Sequence, residues 1–554
     1  MQTTIIARTL GAALLSAGLN GFAAADSAPF QLDISPIGTY GTGLFDQSAA
    51  EIVAHDPKTQ RLFVVNAQSG NVDVLDASTP AAPTHLFSVL TGGVVNSVSI
   101  YQGLVAAAVE ATPKTDPGRV IFFKADGEGQ ILASVTVGAQ PDMLTFTADG
   151  KRVLVANEGE PNDDYTIDPE GSVSIIDLPV DIRRLSQRHV RTARFDLDPA
   201  QMDPRIRVFG PNATVATNLE PEYIALSKDG KTAWVALQEA NAVAILDVSK
   251  GRFSTIRSLG FKDHLLPGNE LDVGDQDGAI RIGKWPVLGM YQPDGIASYQ
   301  YLGKTFLVTA NEGDTRDWLG TPGYTEVSRF RALSGNVPPC ADSPRLQAFF
   351  ADNPYGIADL TGLRGNTNLG RLNVTTATGL RADGSCYEDL YSFGGRSFSI
   401  WNENVEQVYD SGSDFERITA NANPTFFNSS HTADVFDNRS DDKGPEPEGV
   451  AVAKLFGRVY AFIGLERIGG VMIYDITNPY APNFVQYYNN REFFQAGSTP
   501  TLDQRKDLGP EGLIVIEPEK SPIPGVPLLV VANEVSGTTT LFRIDRKRLV
   551  GDPR

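Results

Sequence analysis

Short apolar runs broken by turn residues recur along this chain, and few stretches carry the 3.6-residue spacing of an amphipathic helix. One pattern keeps returning. An acidic or polar residue opens an apolar strand, a turn follows, a second β-rich run ends on another polar cluster, and a strand of alternating character comes next. The clearest copies are QPDMLTFTADGKRVLVANEGE from Gln140, EPEYIALSKDGKTAWVALQEANAVAILDV from Glu220 and QPDGIASYQYLGKTFLVTANEGD from Gln292. Two more begin EPEGVAVAK at Glu446 and GPEGLIVIE at Gly509, and weaker copies begin near Glu51 and Asn96. That makes seven.

Each copy supplies three strands before a variable segment, with Asp149-Gly150 and Asp229-Gly230 as hairpin turns between the first two. A four-stranded antiparallel blade follows. Blades cannot bury both faces alone, and radial stacking hides them while leaving only short edges. The expected fold is all-β: one seven-bladed β-propeller domain over residues 26–554, with FQLDISPIGTYG near Phe30 closing the last blade as its outer strand. Copies are spaced unevenly, so the excess must lie in insertions, at about 255–290 around His264 to Pro286 and at 317–393. Loops of that length in a compact domain are often functional.

At 554 residues the chain exceeds the roughly 100–200 of an average domain, which suits a large repeat architecture. Its 53 Gly and 35 Pro fit a protein rich in turns. A net charge of −20 repels phosphate backbones and anionic lipid, so nucleic acid is excluded as a partner and cations are favoured. Residues 1–25, with Arg8, an apolar run from Leu10 to Phe22 and Ala23-Ala24-Ala25, read as a cleavable export signal. Nothing after it approaches the roughly 20 apolar residues of a membrane span. A secreted or periplasmic monomer is expected. There Cys340 and Cys386, both in the longer insertion, would pair as a disulfide.

Acids stand at two recurrent positions that a propeller brings to one face. Asp142, Glu222, Asp294, Glu448 and Glu511 enter the first strands. Glu110, Glu158, Glu312, Glu466 and Glu534 leave the second strands. Carboxylates crowded at a low-dielectric channel mouth raise one another's pKa and cost stability unless cations or hydrogen bonds compensate. Oxygen ligands suit Ca²⁺, or Mg²⁺, better than zinc. The same acids also suit a structural role, accepting backbone N–H bonds at each turn. In LDVGDQDGAI, Asp272, Asp275 and Asp277 resemble part of a calcium loop. In SDDKGPEPEGV, Lys443 stands beside such acids, and Arg316 and Arg396 offer guanidinium forks for phosphate. No nucleophile elbow or P-loop is present, and the five histidines, His431 among them, show no ligand or triad spacing.

QPDMLTFTADGKRVLVANEGEP, LDVGDQDGAI followed by WPVLGMYQPDGIA, TANEGDTRDW and SDDKGPEPEGVAV resemble the choice-of-anchor I family of exported propellers. That family is similar in turn to the propeller region of an atypical cyanobacterial alkaline phosphatase, and the PEG-type strand starts look like those of esterase-like phytases. The resemblance implies a calcium-dependent phosphoesterase acting on a phosphorylated small molecule. Asp142, Glu222, Asp294, Glu448, Glu511, Glu466 and Glu534 would hold metal, as would Asp272, Asp275 and Asp277. Glu158 or Glu312 would orient the attacking water, and Arg316 or Lys443 would stabilise developing charge. The alternative is a non-catalytic propeller that binds a protein, glycan or cell-surface component, its acids structural and its insertion carrying the contacts.

Overall fold

Gly150 and Gly230 turn the chain between consecutive strands with φ of +65° and +66°, a region that residues with a Cβ rarely adopt. Their amides donate back to the carbonyls of Thr147 and Ser227 at 2.8 Å, and Asp149 and Asp229 accept the hydroxyls of those same residues at 2.8 Å. Hairpins of this kind recur throughout the computed structural model, which describes residues 30–333, 337–495 and 497–548. The expected export signal, residues 1–25, lies outside these. No helix among the described residues is long and apolar enough to cross a membrane.

Among the described residues, seven four-stranded antiparallel sheets are formed. Sheet 1 contains Val53–Asp56, Arg61–Asn66, Asn71–Asp76 and Thr84–Leu90, and sheet 2 contains Val95–Tyr101, Leu104–Val109, Pro117–Lys124 and Ala133–Ala139. Sheet 3 runs through Pro141–Phe146, Arg152–Asn157, Ser172–Asp177 and Val190–Arg194. Sheet 4 uses Pro221–Leu226, Thr232–Leu237, Ala242–Asp247 and Arg252–Ser258. Sheet 5 uses Ile296–Tyr301, Lys304–Asn311, Ser397–Asn402 and Gln407–Asp410, with the longer insertion between its second and third strands. Sheet 6 takes Pro447–Leu455, Arg458–Leu465, Val471–Asp475 and Asn483–Tyr488. In sheet 7, Pro510–Ile516, Leu528–Asn533 and Thr538–Arg548 are completed by Phe30–Gly41, so the two ends of the chain share one sheet.

The first strand of each sheet neighbours the first strand of the next, and that of sheet 7 neighbours that of sheet 1. This is the architecture of a β-propeller. An apolar cluster fills each junction. Leu154, Val173 and Ile175 of sheet 3 pack on Ile224, Val235 and Leu246 of sheet 4, and Phe306 and Phe398 of sheet 5 pack on Phe415 and Tyr474. Each such side chain contributes about 1.5–3 kcal/mol when fully buried. Close approach near the axis depends on glycine: a Cβ on Gly449 would lie 1.9 Å from the Glu511 carbonyl oxygen, and one on Gly512 would lie 2.3 Å from that of Glu51.

The two long insertions are not separate loops. Leu271, Val273, Trp285 and Val287 from the first share one buried cluster with Phe330, Leu346, Phe349, Leu372 and Val374 from the second. Trp285 stacks on Tyr355 with ring centroids 4.7 Å apart. A three-stranded sheet of Phe261–Asp263, Leu288–Met290 and Tyr391–Ser392 joins the roots of both insertions. Cys340 and Cys386 are disulfide-bonded within the second. The all-β expectation misses a helix here, Pro344–Ala351, whose N-terminus is capped by the Ser343 hydroxyl, and another at Asp414–Ala422.

Candidate functional site

A strained backbone joint recurs at one end of the ring. Gln140, Gln292, Glu446 and Gly509 precede prolines, a position that favours extended backbone, yet their φ angles are +44°, +43°, +53° and +69°. Their carbonyls accept the amides of Glu158, Gly313, Glu466 and Glu534 at 2.7–3.0 Å. A register shift follows Pro141, Pro447 and Pro510, and a matching one follows Pro221. Such bulges re-aim side chains, and here they carry the acids after each proline to the axis.

Asp142, Asp294, Glu448 and Glu511 therefore line one cavity of about 90 Å³, together with Met143 and Tyr223. A second cavity of about 320 Å³, lined by first-strand residues of several sheets, shares Met143 and Tyr223 with it. Burial pushes the Asp142 carboxyl up to about 7, with Glu160 and Glu110 adding repulsion. Burial and neighbouring acids likewise hold Asp294, Glu448 and Glu511 far above the ordinary carboxylate range. Glu448 Oε2 and Glu511 Oε2 are buried without a hydrogen-bond partner.

Beside this cavity lie two groups of three glutamates whose ligand oxygens fall within 4.8 Å of one another: Glu158, Glu222 and Glu239, and Glu312, Glu446 and Glu466. The second group is charge-matched. Lys443 Nζ lies 2.5 Å from Glu312 Oε1 and 2.9 Å from Glu446 Oε2, Arg439 lies 2.5 Å from Glu446, and Arg467 pairs with Glu446 at 3.0 Å and Glu466 at 2.9 Å. His431 Nδ1 sits 3.0 Å from Glu466. Burial opposes ionisation of Glu446 and Glu466, but these partners outweigh it and both carboxyls are held below the ordinary range.

The first group is less well escorted, its one member drawn to a cation being Glu239, which Arg316 attracts while pairing with Glu220. Glu158 accepts from Gln140 Nε2 at 2.6 Å, whereas Glu222 Oε2 and Glu239 Oε2 have no donor. Burial raises all three carboxyls, and Glu160, Glu220 and Asp142 add to the repulsion felt by Glu158. The nearby cations are spoken for: Lys114 lies 2.7 Å from Glu160, and Arg316 pairs with Glu220. Buried, donor-free carboxylate oxygens of this kind fit a hard divalent cation.

The other expected residues have different fates. Arg316, expected to meet phosphate, is fully buried; besides Glu220 it donates to Tyr165 Oη and the Asn218 carbonyl, both at 3.1 Å. Lys443 spends its ammonium on Glu312, Glu446 and the Gly313 carbonyl, so Glu312 carries a salt bridge rather than a free base. Arg396 donates to the carbonyls of Asp272, Ser440 and Asp442 and to Glu416, which leaves no fork for an anion. Asp272 accepts the Gly274 and Arg281 amides, Asp275 pairs with Arg371 at 2.5 Å, and Asp277 pairs with Arg281 at 3.0 Å. Each of these three aspartates is thus turned to its own partner, and they belong to neither acid group. Glu534 takes the Ser48 hydroxyl at 3.1 Å and repels Glu51, and Glu110 takes Asn96 Nδ2 at 3.3 Å.

Sequence reasoning missed Glu239, Glu220, Glu160 and Gln140 as partners of Glu158, Arg467 and His431 as partners of Glu466, and Arg439 as a partner of Glu446. Glu239 was hidden by one residue of displacement. The strand Thr232–Leu237 ends on Gln238-Glu239, where Arg152–Asn157 is followed directly by Glu158.

Sheet order, cyclic packing and an acid-lined axis define a β-propeller with an anionic mouth. The chain belongs to the choice-of-anchor I domain family, whose profile matches residues 51–479. It is 36% identical over 185 residues to Gigasin-3a of Magallana gigas, covering 32% of this chain and 64% of that protein. It is 27% identical over 329 residues to a mesenchyme-specific cell surface glycoprotein of Strongylocentrotus purpuratus, covering 54% of this chain and 39% of that protein. Both matches span less than two thirds of the relative. Among solved structures, hydrazine synthase of Kuenenia stuttgartiensis aligns over 93% of this chain and 98% of that one, at 13% identity and a TM-score of 0.42. The WD40 domain of Toxoplasma gondii coronin aligns over 95% and 89%, at 8% identity and 0.44.

Proposed function

We propose that this chain is an exported, seven-bladed, non-catalytic propeller that binds a protein or glycan component of a cell surface or extracellular matrix. The observation that carries this reading is the commitment of Lys443, Arg316 and Arg396 to buried ion pairs and carbonyls. A phosphate arriving at the mouth would meet carboxylates and none of the three cations expected to receive it. In the phosphoesterase reading Arg316 or Lys443 stabilises the developing charge, and neither is free to do so. A relative described as a cell surface glycoprotein supports the binding reading. So does the joined insertion, whose two segments share one buried core and form a large unit added to the seven sheets.

The test is an assay of the mature protein against a phosphomonoester, a phosphodiester and phytate, with calcium and after chelation. No turnover on any substrate is expected. Calcium-dependent turnover that Glu312→Gln abolishes, with folding retained, would overturn the non-catalytic reading.

A further inference from the structure

We propose that Glu158, Glu222 and Glu239 form a binding site for one calcium ion that joins sheets 3 and 4 at the anionic mouth, whichever partner the protein binds. Glu158 follows the second strand of sheet 3, Glu222 lies in the first strand of sheet 4, and Glu239 follows the second strand of sheet 4. Their ligand oxygens lie within 4.8 Å of one another. An ion with Ca–O distances of about 2.3–2.6 Å reaches oxygens up to roughly 5 Å apart, so one calcium ion can touch all three.

Two observations beyond the acids themselves point to a ligand. Glu222 and Glu239 are only 6% and 3% exposed, and each keeps an oxygen with no hydrogen-bond donor. Gln140, 8% exposed, holds Glu158 through Nε2 while its amide oxygen Oε1 also lacks a donor. Neutral and charged acceptors are thus left unmet together, as the oxygen ligands of a hard cation are before it binds.

Charge accounting singles out this group. Counting Glu160 and Glu220 with the three, five carboxylates meet two cations, Lys114 and Arg316, each already paired with one of the two added acids. Three negative charges remain. Around Glu312, Glu446 and Glu466, counting their neighbours Asp442 and Asp314 in the same way, five carboxylates meet the three cations Lys443, Arg439 and Arg467, and the three glutamates themselves are each paired with one or more of these. Uncompensated buried carboxylates cost several kcal/mol each, so the first group must take up protons or a cation. Three glutamates and a glutamine supply oxygen ligands of the hardness calcium prefers, and water would complete the six to eight it takes.

The test uses the full mature chain, stripped with chelator. Terbium serves as a luminescent stand-in for calcium, excited through tyrosine, because Tyr223 adjoins Glu222 in the chain. Expected are terbium emission displaced by calcium and a melting temperature raised by calcium, as for any ligand that binds only the folded state. Glu222→Gln combined with Glu239→Gln should lose both responses yet melt, without calcium, no lower than the stripped parent. Single Glu222→Gln serves if the pair fails to fold, and it too should weaken calcium binding at least tenfold. Absence of terbium and calcium responses in the parent, or their survival in the variants, would overturn the site. Magnesium displacing terbium as effectively as calcium would overturn the choice of ion.

Discussion

The same hairpin geometry builds both glutamate groups, yet they reach opposite electrostatic ends. In the group at sheets 5 and 6, residues Asn428 to Gly444 form a loop that feeds Arg439 and Lys443 into the acids, and Arg467 follows from the second strand of sheet 6. That loop is itself held by the insertion: the Asn373 amide donates to the Asp441 carbonyl at 2.9 Å, and Arg329 and Arg371 pair with Asp441 at 2.6 and 3.0 Å. At sheets 3 and 4 the segment after Glu158 brings Glu160, another acid, where the one after Glu466 brings Arg467. Repeated strands thus place the carboxylates, while the loops between them decide whether charge is cancelled within the chain or left for a cation.

The comparison breaks hardest at Lys443. Lys443→Met strands Glu312 in a buried site, while Glu446 keeps Arg439 and Arg467, and a loss of about 3–5 kcal/mol is expected in urea unfolding, partly recovered by adding Glu312→Gln. A loss under about 1 kcal/mol would show that the second group is not held by its ion pairs. Next in size, replacing Cys340 and Cys386 by serine should cost about 2–4 kcal/mol in the insertion, read by hydrogen exchange. Protection around Asp441 should fall with it, and the calcium response at Glu222 should not. Conversely, Glu222→Gln should stabilise the calcium-free chain by about 1 kcal/mol or more, because it removes an unpaired buried charge.

The smallest effect concerns pH. Burial, then repulsion from Glu534, raises the Glu51 carboxyl from about 4.5 to about 8. A carboxyl raised on folding binds more protons in the native state, so its contribution is full below about 4.5 and is lost as pH rises towards 8. Calcium-free protein should therefore melt at a lower temperature at pH 8 than at pH 5, and Glu51→Gln should flatten part of that slope. An unchanged slope would place the titration elsewhere.

Much of this arrangement was legible in the chain. The repeated starts at Glu51, Asn96, Gln140, Glu220, Gln292, Glu446 and Gly509 mark the openings of the seven sheets, since period-two patterning and Asp-Gly turns act locally. The X-Pro-acid motif likewise put Asp142, Asp294, Glu448 and Glu511 at one mouth. Pairing was not legible, because it joins residues far apart in sequence: Arg316 finds Glu220, Lys443 finds Glu312, and Asp275 finds Arg371. Reading LDVGDQDGAI as an ion-wrapping loop left out such partners for that reason. Its aspartates face arginines and amides supplied by other segments. The two insertions, separate in sequence, share a core that no local pattern announces.

The most direct test is anomalous diffraction from crystals of the mature chain soaked in calcium or terbium. The account predicts a peak bounded by Glu158, Glu222 and Glu239, with none between Glu312, Glu446 and Glu466. An ion in the second group, or three bare glutamates in the first, would contradict it.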